Sequence, residues 1–347
     1  MVEWKKIGSV CKVITPPKKL KKECYQKEGL YPIIDQGQSN IVGYTDDEES
    51  LLTSDSYVLF GDHTRYVKYI SGKFAQGADG LKILKCGSFL NSKYFYYTFS
   101  NSSIPTRGYS RHWSIAKDIE IPIPPLSEQN RIVSILDTFT ESIENLKKQI
   151  TERKKQYEHY RDQLLDLEGK PGVEMKTLGE VCEVITGGEV PENTIKGQQE
   201  PSNSHPFAVY TNGKETYGYT DTYQIDSDAV CISSIGANTG AVFYKKGKFT
   251  PAIRLKVLIP YQNVDTKFLY YSAMGIDFKG RNTGSVPNIN ANYVKSRTII
   301  LLPLAEQQRI VTILDTFEAS IANLEQQLTH RQKQYEYYRN MLLTFDE

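Results

Sequence analysis

The 347-residue chain has almost no net charge, with 42 basic residues against 41 acidic ones, so the total gives no sign of a polyanionic partner. Its five cysteines, odd in number and without ligand spacing, make neither a disulfide framework nor a zinc site, and a reducing compartment fits them. No apolar run approaches the length that spans a bilayer, and the opening MVEWKKIGSV lacks the apolar core of a signal peptide. The expectation is a soluble cytoplasmic protein with no membrane partner. Catalytic patterns are missing as well. There is no glycine-rich loop ending in Gly-Lys-Ser/Thr, no Asn-Pro-Pro-aromatic tetrapeptide and no His-x-Glu with a cysteine pair, and the five histidines share no spacing. The chain is therefore expected to be no enzyme by itself and to bind no metal or cofactor of its own.

What the chain does contain is a duplication. LSEQNRIVSILDTF at Leu126 returns as LAEQQRIVTILDTF at Leu304, and EWKKIGSVCKVIT at Glu3 returns as EMKTLGEVCEVIT at Glu174. GYTD at Gly43 recurs at Gly218, GKF at Gly72 recurs at Gly247, and KYFYY at Lys93 becomes KFLYY at Lys267. The chain is thus a tandem pair of similar units, each a divergent segment followed by a similar tail. The boundaries read 1–124 for the first globular segment, 125–168 for the first tail, 169–173 for a link, 174–302 for the second segment and 303–347 for the second tail. The first segment carries 17 basic and 13 acidic residues, and the second tail 4 and 7, so charge is unevenly spread. Cys11 and Cys182 hold matching places in alternating apolar patterns and read as buried structural thiols.

Both tails read as long helices. In the first, Ile132, Leu136, Phe139, Ile143, Leu146 and Ile150 begin a series at steps of four and three that continues through Tyr157, Tyr160 and Leu164 to Leu167; the second repeats it from Ile310 to Phe345. A sustained heptad implies a narrow seam buried against another such helix. Ser127 is the expected N-cap after the helix-excluding IPIPP, and Gly169, Pro171 and Gly172 the expected stop. At 1.5 Å per residue the first helix would be about 60 Å long. The short link makes an antiparallel pair the way to cover both seams, which predicts an α+β protein with a globular segment at each end of a two-helix coiled coil and a pseudo-twofold axis. Arg153 and Arg331 interrupt the seams at matching steps. They read as register-fixing residues paired with a glutamate or glutamine across the seam, in preference to contacts for a partner subunit.

Within the divergent segments, SDSYVLF, RYVKYI and LKILKC, and then DAVCIS, GAVFYKK and IRLKVLI, predict short strands. NSKYFYYTF and VDTKFLYYSAM predict short helices capped by Asn91 or Ser92 and by Asp265. Donors suited to base edges and phosphates gather in loops. PTRGYSRHWSIAKD supplies Arg107, Tyr109, Arg111, His112 and Trp113, and FKGRNTGSVPNINANY supplies Lys279, Arg281, Asn282, Thr283 and Asn288 at the corresponding place. FGDHTRYVKY, with Thr64 and Arg65, and SIGANTGAV, with Asn238, occupy matching positions, so two loops per unit are expected to converge on one groove.

The order of a divergent segment, PPLSEQNRI opening a heptad helix, a second divergent segment and LPLAEQQRI opening a second helix closely resembles the specificity subunit of type I restriction-modification systems. The resemblance covers essentially the whole chain, with Leu302 standing where the first copy has a proline. It implies that the divergent segments are target recognition domains, each reading half of a split, asymmetric site in double-stranded DNA, while the helices set the gap. It implies two methyltransferase subunits as partners, bringing S-adenosylmethionine, with a translocating nuclease subunit able to join. The doubled run, with Glu128, Gln129 and Arg131 and then Glu306, Gln307 and Arg309, would be their symmetric docking surface. A coiled-coil module whose two end domains bind polypeptides instead of DNA would share the seams but not the Arg, Asn and Lys loops.

Overall fold

The structure, a computed structural model, describes residues 2–53, 56–77, 79–106, 108, 110–166, 173–279 and 288–345. The chain divides into two compact units, one of Met1–Lys148 with Glu325–Glu347 and the other of Gln149–Leu324. Each unit thus holds a globular segment together with a part of both long helices.

In the first unit a four-stranded antiparallel sheet runs in the order Cys11–Ile14, Leu81–Cys86, Ser56–Gly61, Val67–Ser71. Successive side chains of a strand point to opposite faces, and here both faces are covered, which is why the run Val58, Leu59, Phe60 is apolar without alternation. Val58 and Phe60 pack under the helix Ser92–Asn101 with Phe95 and Phe99, whereas Tyr57 and Leu59 pack with Ile34, Leu52 and Phe74 of a second sheet. That second sheet runs Gly43–Thr45, Tyr31–Ile34, Phe74–Gln76, Leu51–Leu52, with its two central strands parallel. Glu3–Lys6 pairs antiparallel with Glu120–Ile123 and so closes the unit where the long helix leaves.

The second unit repeats the plan on different residues. Cys182–Thr186, Lys256–Pro260, Ala229–Ile232 and Val242–Lys245 form the antiparallel sheet, and Ile195–Lys196, Thr216–Thr220, Phe207–Tyr210 and Phe249–Pro251 the smaller one. Val230, Ile232 and Leu258 pack with Leu269 and Ala273 of the helix Thr266–Met274, and Cys231, Val257, Phe249 and Leu255 fill the other side. Asn91 and Asp265 cap the two short helices, each carboxyl or amide oxygen accepting from the N–H groups two and three residues on. Cys11 and Cys182 are buried, and their thiols donate to the carbonyls of Ile7 and Leu178.

The long helices run Leu126–Leu165 and Leu304–Leu343, 40 residues each. The first begins one residue before the expected cap Ser127: the Pro125 carbonyl accepts from the N–H groups of Glu128 and Gln129 at 2.9 and 3.0 Å, and a proline before the first turn has no N–H to leave unpaired. The expected stop at Gly169, Pro171 and Gly172, and the last seam position Leu167, lie outside the described residues. Within each unit the helices are antiparallel. In the first, Ile132 and Leu136 share a core with Leu342 and Leu343 while Phe139 stacks on Tyr338. In the second, Leu164 shares a core with Ile310 and Leu314 while Tyr157 lies edge-on to Phe317. No helix among the described residues is long and apolar enough to cross a membrane.

Candidate nucleic-acid interface

The loops rich in donors meet one another in each unit. In the first, the turn after Ser56–Gly61 is closed by the Gly61 N–H donating to Tyr66 O at 2.9 Å and the Arg65 N–H donating to Gly61 O at 2.7 Å. Asp62, 3 % exposed, ties this turn to two other segments. Its N–H donates to Gly80 O at 2.7 Å, its carbonyl accepts from the His112 N–H at 2.8 Å, and its carboxylate accepts from the Trp113 N–H at 2.8 Å. Gln36 adds a fourth segment, accepting from the His63 N–H and donating to Asp79 O, while Thr64 Oγ1 donates to the Gln36 carbonyl. Buried Lys68 holds the same loop through the carbonyls of Asp35 and Ser39 at 2.8 and 2.6 Å, and burial pulls its pKa down.

In the second unit the corresponding turn is closed by the Ser233 N–H to Ala241 O and the Gly240 N–H to Ser233 O, both 2.9 Å. Asn212 takes the role of Gln36. Its side chain accepts from the Ser234 N–H at 2.7 Å and donates to Ile253 O at 2.5 Å, and its carbonyl accepts from Asn238 Nδ2 at 3.2 Å. Ile235 bridges Asn288, and the Ile289 N–H donates to Ser234 O at 2.9 Å, so the segment before the second long helix is stitched to the Asn238 turn.

Among the expected contact residues, Arg65, Arg111, Asn238, Lys279 and Asn288 are exposed on these joined loops. Thr64 is half-buried and committed to Gln36. His112 is a correction: it is 1 % exposed with Nδ1 3.0 Å from the Asp62 carbonyl, so it anchors its loop from inside. Trp113 is half-buried, its ring 6.0 Å from that of Phe60, because it starts a single helical turn that docks on the core. Arg107, Tyr109, Arg281, Asn282 and Thr283 lie outside the described residues. Asp62, Gln36 and Asn212 were not singled out from the sequence; the one available signal was that DQG and TNG follow matching strands at matching distance. No group of His, Cys, Asp and Glu among the described residues could hold a metal ion.

Two of the six residues expected to dock a partner at the doubled helix starts, Gln129 and Gln307, point inward. Gln129 is fully buried: Oε1 accepts from the Asn91 N–H at 2.8 Å, and Nε2 donates to Phe89 O and Pro124 O at 3.1 and 2.8 Å. Gln307 is buried in the same way, bonded to the Asp265 N–H, Asn263 O and Leu302 O at 2.8, 3.0 and 2.7 Å. Both are removed from the docking set, since every strong bond of the amide is satisfied inside its own unit. Eight residues on, Asp137 accepts from Lys93 and Tyr97 at 2.6 and 2.7 Å, and Asp315 accepts from Lys267 and Tyr271 at the same distances. Burial, with the adjacent carboxylate, raises the pKa of both tyrosines and keeps them as donors. Glu128 with Arg131 at 2.7 Å and Glu306 with Arg309 at 2.6 Å form forked ion pairs on the surface, and each pair holds its glutamate below the ordinary range.

Among the described residues, no glutamate or glutamine across the seam pairs with Arg153 or Arg331. Arg153 lies over the ring of Phe317 at 5.8 Å, with Tyr160 stacked on that ring at 5.3 Å; Arg331 lies over Phe139 at 5.7 Å, with Tyr338 stacked at 5.2 Å. A phenylalanine from LDTF on one helix thus meets both an arginine and a tyrosine seven residues apart on the other, in both units.

Two α+β domains of one plan, each leading into a long helix of a matched antiparallel pair and each gathering polar loops at one locus, define a tandem recognition protein. Residues 1–153 and 171–331 match the type I restriction modification DNA specificity domain, and the chain belongs to that family. It is 32% identical to the EcoR124I/EcoR124II type I specificity subunit of Escherichia coli, across 99% of this chain and 94% of that protein. A putative type I specificity subunit of Mycoplasma pneumoniae is 29% identical over 80% of this chain and 90% of its own length. In fold, the chain is similar to the S subunit of a type I restriction-modification system from M. genitalium, with a TM-score of 0.73 at 18% identity, covering 100% of this chain and 97% of that one.

Proposed function

We propose that the chain is the DNA-specificity subunit of a type I restriction-modification complex, in which it supplies recognition and other subunits supply chemistry. Each unit reads one half of a split site through its joined loops, with Arg65 and Arg111 in the first and Asn238, Lys279 and Asn288 in the second. The long helices set the gap between the halves. The exposed ion pairs of Glu128 with Arg131 and of Glu306 with Arg309 mark matched surfaces for two methyltransferase subunits, which carry S-adenosylmethionine. A nuclease subunit joins the same assembly, in the cytoplasm.

One observation carries this reading above all. The arginine and tyrosine contacts to the LDTF phenylalanines, and the glutamine and aspartate that tie each long helix to its globular segment, recur at matching positions in both units, while the loops joined in each unit differ. A protein that presents one scaffold twice and two different loop sets fits identical partners acting on unlike half-sites. The test is single-molecule sequencing of methylated bases in a host given this chain with its methyltransferase. A motif of two defined stretches with a fixed undefined gap is expected, and methylation without a gapped motif would refute the reading. A domain pair that binds polypeptides would leave the methylation pattern untouched when Arg111 is replaced by Ala.

A further inference from the structure

Three non-glycine residues among those described have a positive φ: Arg65 at 64°, Ile253 at 52° and Arg254 at 60°. The two arginines stand in a reciprocal relation. Arg65 and Gly240 occupy the same place in their turns, each N–H donating to the carbonyl of the residue that opens the turn, Gly61 or Ser233. Gly240 has φ 85° there, so the second unit uses glycine where the first uses arginine. Arg254 and Gly80 are also equivalent. Each lies four residues before the leucine that pairs with the central strand, Leu258 with Val230 and Leu84 with Val58. Gly80 has φ 92°, so here the first unit uses the glycine.

A left-handed backbone favours glycine, and a side chain retained there has to be held by its surroundings. The holding is visible. Ile253 and Arg254 donate their N–H groups to Gly188 and Gly187 at 2.8 and 3.0 Å, Asn212 Nδ2 donates to the Ile253 carbonyl at 2.5 Å, and Ser234 Oγ donates to the Arg254 carbonyl at 2.6 Å. What is held is a guanidinium that is exposed and has no hydrogen-bond or ion-pair partner among the described residues. Behind it Lys256 is 4 % exposed, with its ammonium 3.3 Å from the Arg254 carbonyl and no carboxylate paired with it among the described residues. Ser234 and Asn212 also hold the Asn238 turn, so Arg254 projects from the joined loops of the second unit.

We propose that Arg254 is a specificity-determining residue of the second unit, its guanidinium fork reading a base edge of the half-site; this rests on the DNA-reading function proposed above. It was absent from the residues expected from sequence because IRLKVLI reads as strand throughout.

The experiment compares wild-type, R254G and R254K chains, each expressed with the methyltransferase, by sequencing methylated motifs and by measuring the thermal midpoint of each purified complex. R254G removes the guanidinium and relieves the backbone, so a midpoint unchanged or raised is expected, together with relaxation at one position of one stretch or a loss of methylation of about tenfold. R254K is expected to be as defective, because an ammonium cannot make the two-pronged contact. A wild-type motif retained in full by R254G overturns the inference alone. So does a wild-type motif restored by R254K, which reduces the contact to phosphate charge, and so does a lowered midpoint in R254G, which makes the side chain a structural prop. A wild-type chain that yields no split motif overturns the underlying reading and the inference with it.

Discussion

At the scale of single residues, several polar side chains are buried and fully engaged. Gln129 makes three hydrogen bonds at zero exposure, so Gln129→Ala leaves buried donors and acceptors unpaired and should cost about 3 kcal/mol, read by chemical denaturation. Gln129→Glu should be as harmful, since a carboxylate cannot donate to the Phe89 and Pro124 carbonyls. Burial pushes the Cys11, Cys182 and Cys231 thiols up to about 12 each. A raised thiol pKa leaves roughly one thiolate in ten thousand at pH 8. Alkylation of the native chain at that pH, followed by peptide mass analysis, should therefore label exposed Cys24 first and spare these three. The left-handed Arg65 and Arg254 each carry a backbone cost of about 1 kcal/mol relative to glycine, but Arg65 Nη1 also donates to the Ile104 carbonyl at 3.0 Å, so a thermal midpoint unchanged or raised is expected for Arg254→Gly and a smaller change of either sign for Arg65→Gly.

At the scale of elements, the doubled sequence is explained by what each helix must touch. An antiparallel pair brings the start of one helix to the end of the other, so LDTF on either helix needs RKKQYEHYR or RQKQYEYYR on its neighbour, and both motifs must appear twice. Phe139→Ala and Phe317→Ala should each cost about 2–3 kcal/mol, because the ring is only half-buried but carries two stacked partners. Arg331→Met, keeping length and apolar contact without charge, should cost under about 1 kcal/mol if packing outweighs the cation–π attraction; thermal unfolding of the matched pair of variants checks it. The heptads, both short helices with their caps and three of the four strands of each larger sheet were legible in the residues, since periodicity and capping are local. The smaller sheets were not. Tyr31–Ile34 and Phe74–Gln76 are only four and three residues long, and GYTD and GKF stood out as repeats without any mark of being strands. Strands so short exist because the larger sheet offers them an apolar face.

At the scale of the whole chain, balance of charge is the telling property. With a formal net charge of +1, few lysines and arginines are available in excess to displace counterions from DNA. Titration of labelled DNA should show weak binding by the chain alone and tight, specific binding once its methyltransferase is present; tight specific binding by the lone chain would refute that division of labour. Duplication, seam and family resemblance were determined by sequence alone, because a heptad repeat and a repeated motif are written in the order of residues. Which groups are offered outward was decided only by the tertiary structure. His112, Gln129 and Gln307 have the chemistry of contact residues and are buried, while Arg254 sits in a strand-like run and is exposed, because burial and backbone sign depend on residues distant in the chain such as Asp62, Asn91, Asn212 and Asp265.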